Sequence, residues 1–169
     1  MPLDRRTFRS VMGAFPTGVI IVATVDAHGS PKGLTTQAFI SLSTEPPLLL
    51  VSVDKAARTL GALRHTGAFV VNFLASGRED LSTLFASKTE HKFGTVRWRP
   101  STIAKGSPIL AEDSVACAEC IVTQAMGTGD HWIFIASVEG ATLFGGTPLM
   151  YYRGTYASWP EERPAPREL

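Results

Sequence analysis

Apolar residues near the amino terminus recur at helical spacing, and this spacing predicts an amphipathic helix over residues 4–15. The residues on its apolar face are Phe8, Val11, Met12 and Phe15. Asp4 stands where its carboxylate can cap the first turn, and Pro16-Thr17-Gly18 ends the helix.

From Val19 onward the pattern changes to apolar and β-branched runs bounded by turn residues, which is typical of strands. The predicted strands cover residues 19–25, 33–43, 48–53, 69–74, 117–126, 132–143 and 150–158. Asp26-Ala27-His28-Gly29 predicts a hairpin turn, as does Gly127-Thr128-Gly129-Asp130. Two short helices are expected at residues 58–64 and 79–86, and a long loop with possible short strands at 88–110.

Strands in hairpin order with a few short helices predict a mainly β fold, an antiparallel barrel rather than a parallel sheet. The length of 169 residues fits one domain, which we place at residues 1–159. Residues 160–169 form a proline-rich tail that we expect to be frayed or draped over a partner subunit.

Composition excludes several classes of protein. A formal net charge of +1 gives no basic surface for nucleic acid. No segment approaches the ~20 apolar residues that span a membrane. The pair Arg5-Arg6 looks like a twin-arginine export signal, but Pro16 interrupts the apolar stretch that such a signal needs. Two cysteines cannot form a disulfide framework, so we expect a cytoplasmic protein.

Familiar catalytic motifs are missing from the sequence. It has no Gly-x-Gly-x-x-Gly crossover, no Walker loop and no Gly-x-Ser-x-Gly elbow. Cys117 and Cys120 lie three apart in a predicted strand, so their thiols should face opposite sides and not share a metal. The four histidines are scattered, and we predict no metal site.

Hydroxyl and amide side chains remain at the ends of the predicted strands. They are Thr17, Thr35, Thr36, Gln37, Ser41, Ser43, Ser52, Thr59 and Ser87. Such groups on an apolar sheet suit a flat, hydrogen-bonding heterocycle that carries a phosphate. Ordinary strand and turn positions are the alternative, and taken alone the pattern favours this alternative.

The order of several segments, spread from Phe8 to Tyr156, resembles the flavin reductase-like family with its FMN-binding split barrel. The matching pieces are Phe15-Pro16-Thr17-Gly18-Val19, residues 33–43, Val51-Ser52-Val53 with Thr59, residues 69–74, Phe85-Ala86-Ser87, Lys92-Phe93, Trp98, Gly129-Asp130-His131 and residues 151–156. This family includes the small reductase components of two-component flavin-dependent monooxygenases. One departure is Asp54-Lys55-Ala56, where an Asn or Arg followed two positions later by Ser is more usual.

The resemblance implies a homodimeric split barrel that transfers hydride from NADH or NADPH to FMN or FAD. It also implies a separate monooxygenase that receives the reduced flavin. Because the two cofactors carry the hydride chemistry, the protein mainly stacks and orients them.

The resemblance also implies roles for individual residues. The residues expected at the isoalloxazine are Thr35, Thr36 and Gln37, and those expected along the ribityl chain and phosphate are Ser52, Val53, Lys55 and Thr59. Thr17 is a further cofactor-binding candidate. The loop expected to close over the phosphate or adenylate contributes Phe85, Ala86, Ser87 and Lys92. On the nicotinamide side the catalytic candidate is His131, with Tyr152 and Arg153 as weaker candidates.

Two alternatives remain at this point. One is a flavin-binding or electron-transfer protein on the same barrel, or an oxidase of the pyridoxamine phosphate type; the other is a barrel with no cofactor. The fold alone does not choose among them.

Overall fold

The computed structural model describes residues 2–160, so most of the predicted tail lies outside the described residues. The helices are α1 (Arg5–Met12), α2 (Leu60–Thr66) and α3 (Glu79–Ala86). The strands are β1 (Thr17–Gly18), β2 (Ile20–Val25), β3 (Pro31–Thr36), β4 (Phe39–Thr44), β5 (Pro47–Asp54), β6 (Ala68–Leu74), β7 (Arg99–Pro100), β8 (Pro108–Ile109), β9 (Ser114–Thr128), β10 (His131–Leu143), β11 (Leu149–Tyr152) and β12 (Thr155–Ser158).

Seven strands form one antiparallel sheet in the order β3-β2-β6-β9-β10-β5-β4. Its edge strands β3 and β4 are joined by Gln37 and Ala38 alone. So short a connection spans about 11 Å at most, because an extended chain advances about 3.6 Å per residue. The edges must therefore lie close together, and the sheet curls into a split barrel. We call residues 36–38 and the strand ends that they join the seam.

Side chains inside the barrel form one buried cluster. Alternate residues of β2, β5, β6 and β10 point inward and exclude water, among them Val22, Val51, Phe69 and Phe134, each of which is fully buried. Burying a side chain of this size stabilises a fold by about 1.5–3 kcal/mol. The interior is therefore a packed core, and any ligand must bind outside it.

The outer face of β2 is covered by helix α3. Phe85 of this helix is buried against Ile21 and Leu74, and its ring meets the ring of Phe93 edge to face with the centroids 4.9 Å apart. Gly33 of β3 faces the same ring, and a Cβ atom at this position would lie 2.8 Å from Phe85 Cε1. Glycine is thus required there for α3 to approach the sheet.

The outer face of β5 and β10 is different. The register pairs Ile135 with Leu50 and Ile133 with Met126, and β4 adds Ile40 opposite Leu50. Directly paired residues share a face of the sheet, so these five side chains form one surface, which we call the β5–β10 face. Its members belong to none of the buried clusters of residues 2–160, and Ile40 is 54% exposed.

The split-barrel prediction is confirmed, but two of its strands were predicted wrongly. Residues 33–43 do not form one strand: the ladder breaks at Gln37, where the carbonyl of Ala38 accepts from the Ser52 amide at 3.0 Å. The last predicted strand, residues 150–158, is a hairpin. Arg153 and Gly154 at its turn have φ of +48° and +82°, the pattern of a type I′ turn.

Helix α1 ends earlier than predicted, at Met12 rather than Phe15. The Asp4 cap is confirmed, since its carboxylate accepts from the amides of Arg6 and Thr7 at 2.9 and 3.0 Å. The apolar side of this helix does not enter the core, and no residue of the helix is buried.

The two cysteines face opposite sides of β9, as predicted. Cys120 lies in the barrel interior and Cys117 in a cluster on the outside of the sheet. Burial raises the pKa of Cys120 to about 12, so this thiol stays protonated at neutral pH. Both residues are packing elements.

The contact between Gly33 and Phe85 generates a stability prediction. We expect Gly33→Ala to destabilise the fold by about 1–3 kcal/mol, because an added methyl group overpacks a buried ring. Urea unfolding measures this loss. Gly61→Ala is the matched control: nothing lies within 4 Å of its added Cβ, and alanine favours the helix. Equal stability of the two variants would contradict the packing argument.

Candidate functional site

The register of β5 against β10 assembles the first part of the site. His131 pairs with Asp54, and Ile133 pairs with Ser52. Paired side chains share a face, and Val53 between them points into the core, so Ser52, Asp54 and His131 all project outward. Two candidates that lie 79 positions apart are thus neighbours at one end of the β5–β10 face.

His131 is held by its neighbour in the chain. Its Nδ1 lies 2.6 Å from Asp130 Oδ1. The hydrogen bond and the charge of the imidazole hold the pKa of Asp130 below its ordinary value, so the carboxylate accepts and Nδ1 donates. Nε2 then has no hydrogen-bond partner within residues 2–160, and the side chain is 40% exposed. The imidazole is therefore oriented, with its second nitrogen available to a ligand.

Asp130 and His131 lie at the tight turn between β9 and β10. Thr128 pairs with His131, which leaves Gly129 and Asp130 as a two-residue hairpin loop. Gly129 has φ of +52°, as the first position of a type II′ turn requires. Lys55 binds the turn twice, through its amide to Asp130 O at 2.9 Å and through Nζ to Gly129 O at 2.7 Å.

A second group of candidates lies at the seam. Thr17 donates to Gln37 Oε1 at 2.9 Å, and Thr36 Oγ1 accepts from the Ala38 amide at 3.1 Å. Within residues 2–160, the side-chain nitrogen Nε2 of Gln37 makes no hydrogen bond, and neither does the hydroxyl of Ser52. Ser52 is bound to the seam through its backbone amide.

Tyr152 and Arg153 reach the same region through β11. Thr17 pairs with Tyr151, which places the next two residues beside the end of α1. The amide of Arg153 donates to Gly13 O at 3.2 Å, and its guanidinium carbon lies 5.3 Å from the ring centre of Tyr152. Arg153 also borders a cleft of about 790 Å³ against α1.

A third group surrounds the carbonyl of Gly33. Thr59 Oγ1 donates to it at 3.1 Å and Lys92 Nζ at 3.3 Å, and Lys92 also donates to Phe85 O at 2.6 Å. Burial lowers the pKa of Lys92, and the charge of Arg58 lowers it further. Because the hydroxyl of Thr59 binds Gly33, it does not cap the start of α2.

Several other candidates have side chains that are already engaged. Thr35 donates to Ser82 O at 2.6 Å, and Ser87 donates to Leu84 O at 2.7 Å. The side chains of Val53 and Phe85 are buried. These residues can face a ligand mainly through their main chain, as can Ala86 at the end of α3.

Sequence reasoning passed over Arg58. Its Nη1 donates to Lys88 O at 2.6 Å and lies 3.3 Å from Glu90 Oε1, which ties the 87–92 loop to the segment before α2. The only signal in the sequence was that a basic residue immediately precedes Thr59. In the sequence this residue looks like any solvated arginine, and only the fold places the 87–92 loop beside it.

Within residues 2–160 we find no group of three His, Cys, Asp or Glu side chains that could hold a metal ion. No helix in the same part of the chain is long and apolar enough to cross a membrane.

The family model described as "Flavin reductase like domain" matches residues 12–160. The chain belongs to the flavin reductase-like family. The flavin reductase (NADH) of Kitasatospora aureofaciens is 46% identical over 166 residues, which make up 95% of this chain and 84% of that protein.

Solved structures of this family share the fold. Nitrilotriacetate monooxygenase component B from Mycobacterium thermoresistibile has a TM-score of 0.90 and 37% identity, over 98% of this chain and 92% of that one. The NADH:FAD oxidoreductase SgcE6 of Streptomyces globisporus, solved with NAD and FAD fragments, has a TM-score of 0.87 and 32% identity, over 94% of each chain. These relatives confirm the predicted family, fold and enzyme class, a nicotinamide-dependent flavin reductase.

The pair of Asp130 and His131 generates a prediction that needs no ligand. We expect the pKa of Asp130, followed by carboxyl NMR, to lie below 3.8 and to return toward 3.8 in His131→Ala. Because folding lowers this pKa, the pair stabilises the fold above about pH 4 and loses this effect as the solution is acidified. The control is His65→Ala on α2, which should leave the Asp130 titration unchanged. An unshifted Asp130 in the wild-type protein would mean that the pair does not form.

Proposed function

We propose that this enzyme binds a flavin along the seam and the adjoining end of β5, and that a nicotinamide reduces it on the side of His131. The observation that carries the proposal is the convergence of Gln37, Ser52 and His131 on one accessible edge of the barrel. All three keep an unpaired polar group there, within the described residues.

The groups available at this edge fit a flavin. The isoalloxazine offers an apolar face and a polar edge, and the seam offers an amide and a hydroxyl beside apolar strand residues. We assign Thr17, Thr36 and Gln37 to the ring and Ser52 with the main chain of Val53 to the ribityl chain. Thr35 adds its main chain, since its hydroxyl is bound to Ser82.

Cations border the phosphate side of the proposed site. Lys92, Arg58 and Lys88 lie around the start of α2 and the 87–92 loop, where they can neutralise a phosphate or diphosphate. The main chain of residues 85–87 and the segment at Thr59 complete this side. The proposal covers both FMN and FAD.

When bound together, the two cofactors supply the chemistry, a hydride transfer from nicotinamide C4 to flavin N5. The protein needs no strong acid or base for it. His131 Nε2 can bind a polar group of the nicotinamide, while Asp130 fixes the ring. Tyr152 and Arg153, which lie near Thr17 and the end of α1, are further candidates for the nicotinamide side. The proposal covers NADH and NADPH.

We further propose a separate monooxygenase as the acceptor of the reduced flavin. Several relatives carry such a role in their names, including component B of nitrilotriacetate monooxygenase. A cytoplasmic location remains a prediction from the cysteine content.

Anaerobic mixing with NADH or NADPH tests the activity. We expect the oxidised flavin band to bleach, and His131→Ala to raise the KM for the nicotinamide or lower kcat by roughly tenfold, with flavin still bound. A residue that orients without transferring a proton contributes less than the ~10²- to 10⁴-fold of an acid–base catalyst. Stopped-flow absorbance measures both effects.

The control for this experiment is His65→Ala, an exposed histidine on α2. Unchanged kinetics in His131→Ala would remove His131 from the site. A flavin band that persists with both nicotinamides would favour a flavin-binding or electron-transfer protein, or an oxidase of the pyridoxamine phosphate type. A protein that retains neither FMN nor FAD would contradict the whole proposal.

We also propose that the chain is a homodimer paired through the β5–β10 face. This surface is apolar and continuous with Ser52 and His131, so a second copy there would border the flavin site. Stable interfaces contain a cluster of this kind, with polar groups at the rim.

Light scattering at increasing protein concentration tests the dimer. We expect Ile133→Glu to shift the protein to monomer, because it buries a charge in the interface. The control is Leu143→Glu at the far end of β10, where the leucine is already 88% exposed. A wild-type monomer, or a dimer unaffected by Ile133→Glu, would contradict this interface.

A further inference from the structure

We propose that Lys55 is a positioning residue for His131: it clamps the Gly129-Asp130 turn and so fixes the histidine relative to the flavin-binding strand. The inference rests on the proposed function of His131. It gives Lys55 a different task from the phosphate contact that the resemblance implies.

Two hydrogen bonds from one residue define the clamp. The Lys55 amide donates to Asp130 O at 2.9 Å, and Nζ donates to Gly129 O at 2.7 Å. Together they engage both residues of the hairpin loop. The loop is otherwise exposed, so nothing in the core restrains it.

The path of the lysine side chain supports this role. Its Cε atom passes Gly127, where an added Cβ would lie 3.7 Å from it. The stem therefore crosses the β9 side of the hairpin before the ammonium reaches the turn. The ammonium is thus directed along the hairpin to a main-chain carbonyl.

The clamp joins the two halves of the site. Lys55 follows directly after Asp54, whose strand carries Ser52 and Val53, and the turn carries Asp130 and His131. Hydride transfer depends on the placement of the two rings. A contact that holds His131 in place relative to the flavin-binding strand therefore raises the rate of this step.

The experiment compares Lys55→Met, which keeps the length of the stem and removes the donor, with Lys55→Arg, which restores a donor. In Lys55→Met we expect kcat/KM for NADH to fall about three- to tenfold, less than the ~10²-fold that a 1 Å misplacement can cost. The Kd for FMN, measured by fluorescence quenching, should stay within about twofold of wild type. Lys55→Arg should recover part of the loss.

Amide hydrogen exchange tests, without any cofactor, whether Lys55 restrains the turn. We expect the amides of residues 128–131 to exchange faster in Lys55→Met and the rest of β10 to be unchanged, because one of the two bonds to the turn is lost. The matched control is Lys105→Met. Lys105 also donates to a main-chain carbonyl, Thr66 O at 2.7 Å, but lies away from the site.

The possible outcomes separate the alternatives. Weaker binding of FMN with unchanged binding of riboflavin would make Lys55 a phosphate ligand and overturn the clamp. Unchanged exchange at residues 128–131 would also overturn it. If wild-type protein fails to oxidise NADH while exchange responds as expected, the clamp stands and the proposed function of the site fails.

Discussion

The closure of the sheet at the seam is the constraint on which the rest of the structure depends. Strands β3 and β4 belong to opposite edges, yet Gln37 and Ala38 are all that separates them along the chain. The curl that this connection enforces puts apolar side chains inside and the ends of β3 and β5 side by side. The backbone contact from Ser52 to Ala38 fixes their distance. The same short connection thus makes the core and the candidate flavin site.

The elements that pack against the outside of the sheet leave one part of its outer surface uncovered. Helix α3 and the 101–109 loop bury the outside of β2 and of β6, whereas the outside of β5 and β10 keeps Leu50 and Ile133 outside every buried cluster of the described chain. His131 and Ser52 lie on that same side because they share its register. The candidate site is consequently part of a surface, the same one through which the proposed dimer would pair.

The sequence predicted what local patterns determine. Most of the strands, the Asp4 cap and the opposite faces of the two cysteines follow from residues close in the chain, and these predictions were confirmed. The break at Gln37 was missed: the Ala38 amide donates to Thr36 Oγ1 and the Phe39 amide to Gln37 O, and the Ala38 carbonyl accepts from Ser52, a partner distant in the chain. The final hairpin was missed because Arg153, at φ of +48°, is not a residue that marks such turns. The family resemblance supplied the site's residue types, and only the fold could show which side chains are already bound.

Some of the hydroxyl groups at the strand ends are already hydrogen-bonded within the protein. Thr35 and Thr59 were selected as ligand contacts, yet both hydroxyls donate to main-chain carbonyls, of Ser82 and Gly33. A buried hydroxyl that already has an acceptor gains little by turning to a ligand, because the carbonyl that it leaves would be unsatisfied. These threonines therefore fix α3 and β3, and the proposed function assigns recognition to the main chain and to the few side chains with a vacant donor or acceptor. Hydride transfer between two bound rings depends on such fixed geometry more than on reactive side chains, so a rigid framework is the contribution that this chemistry requires from the protein.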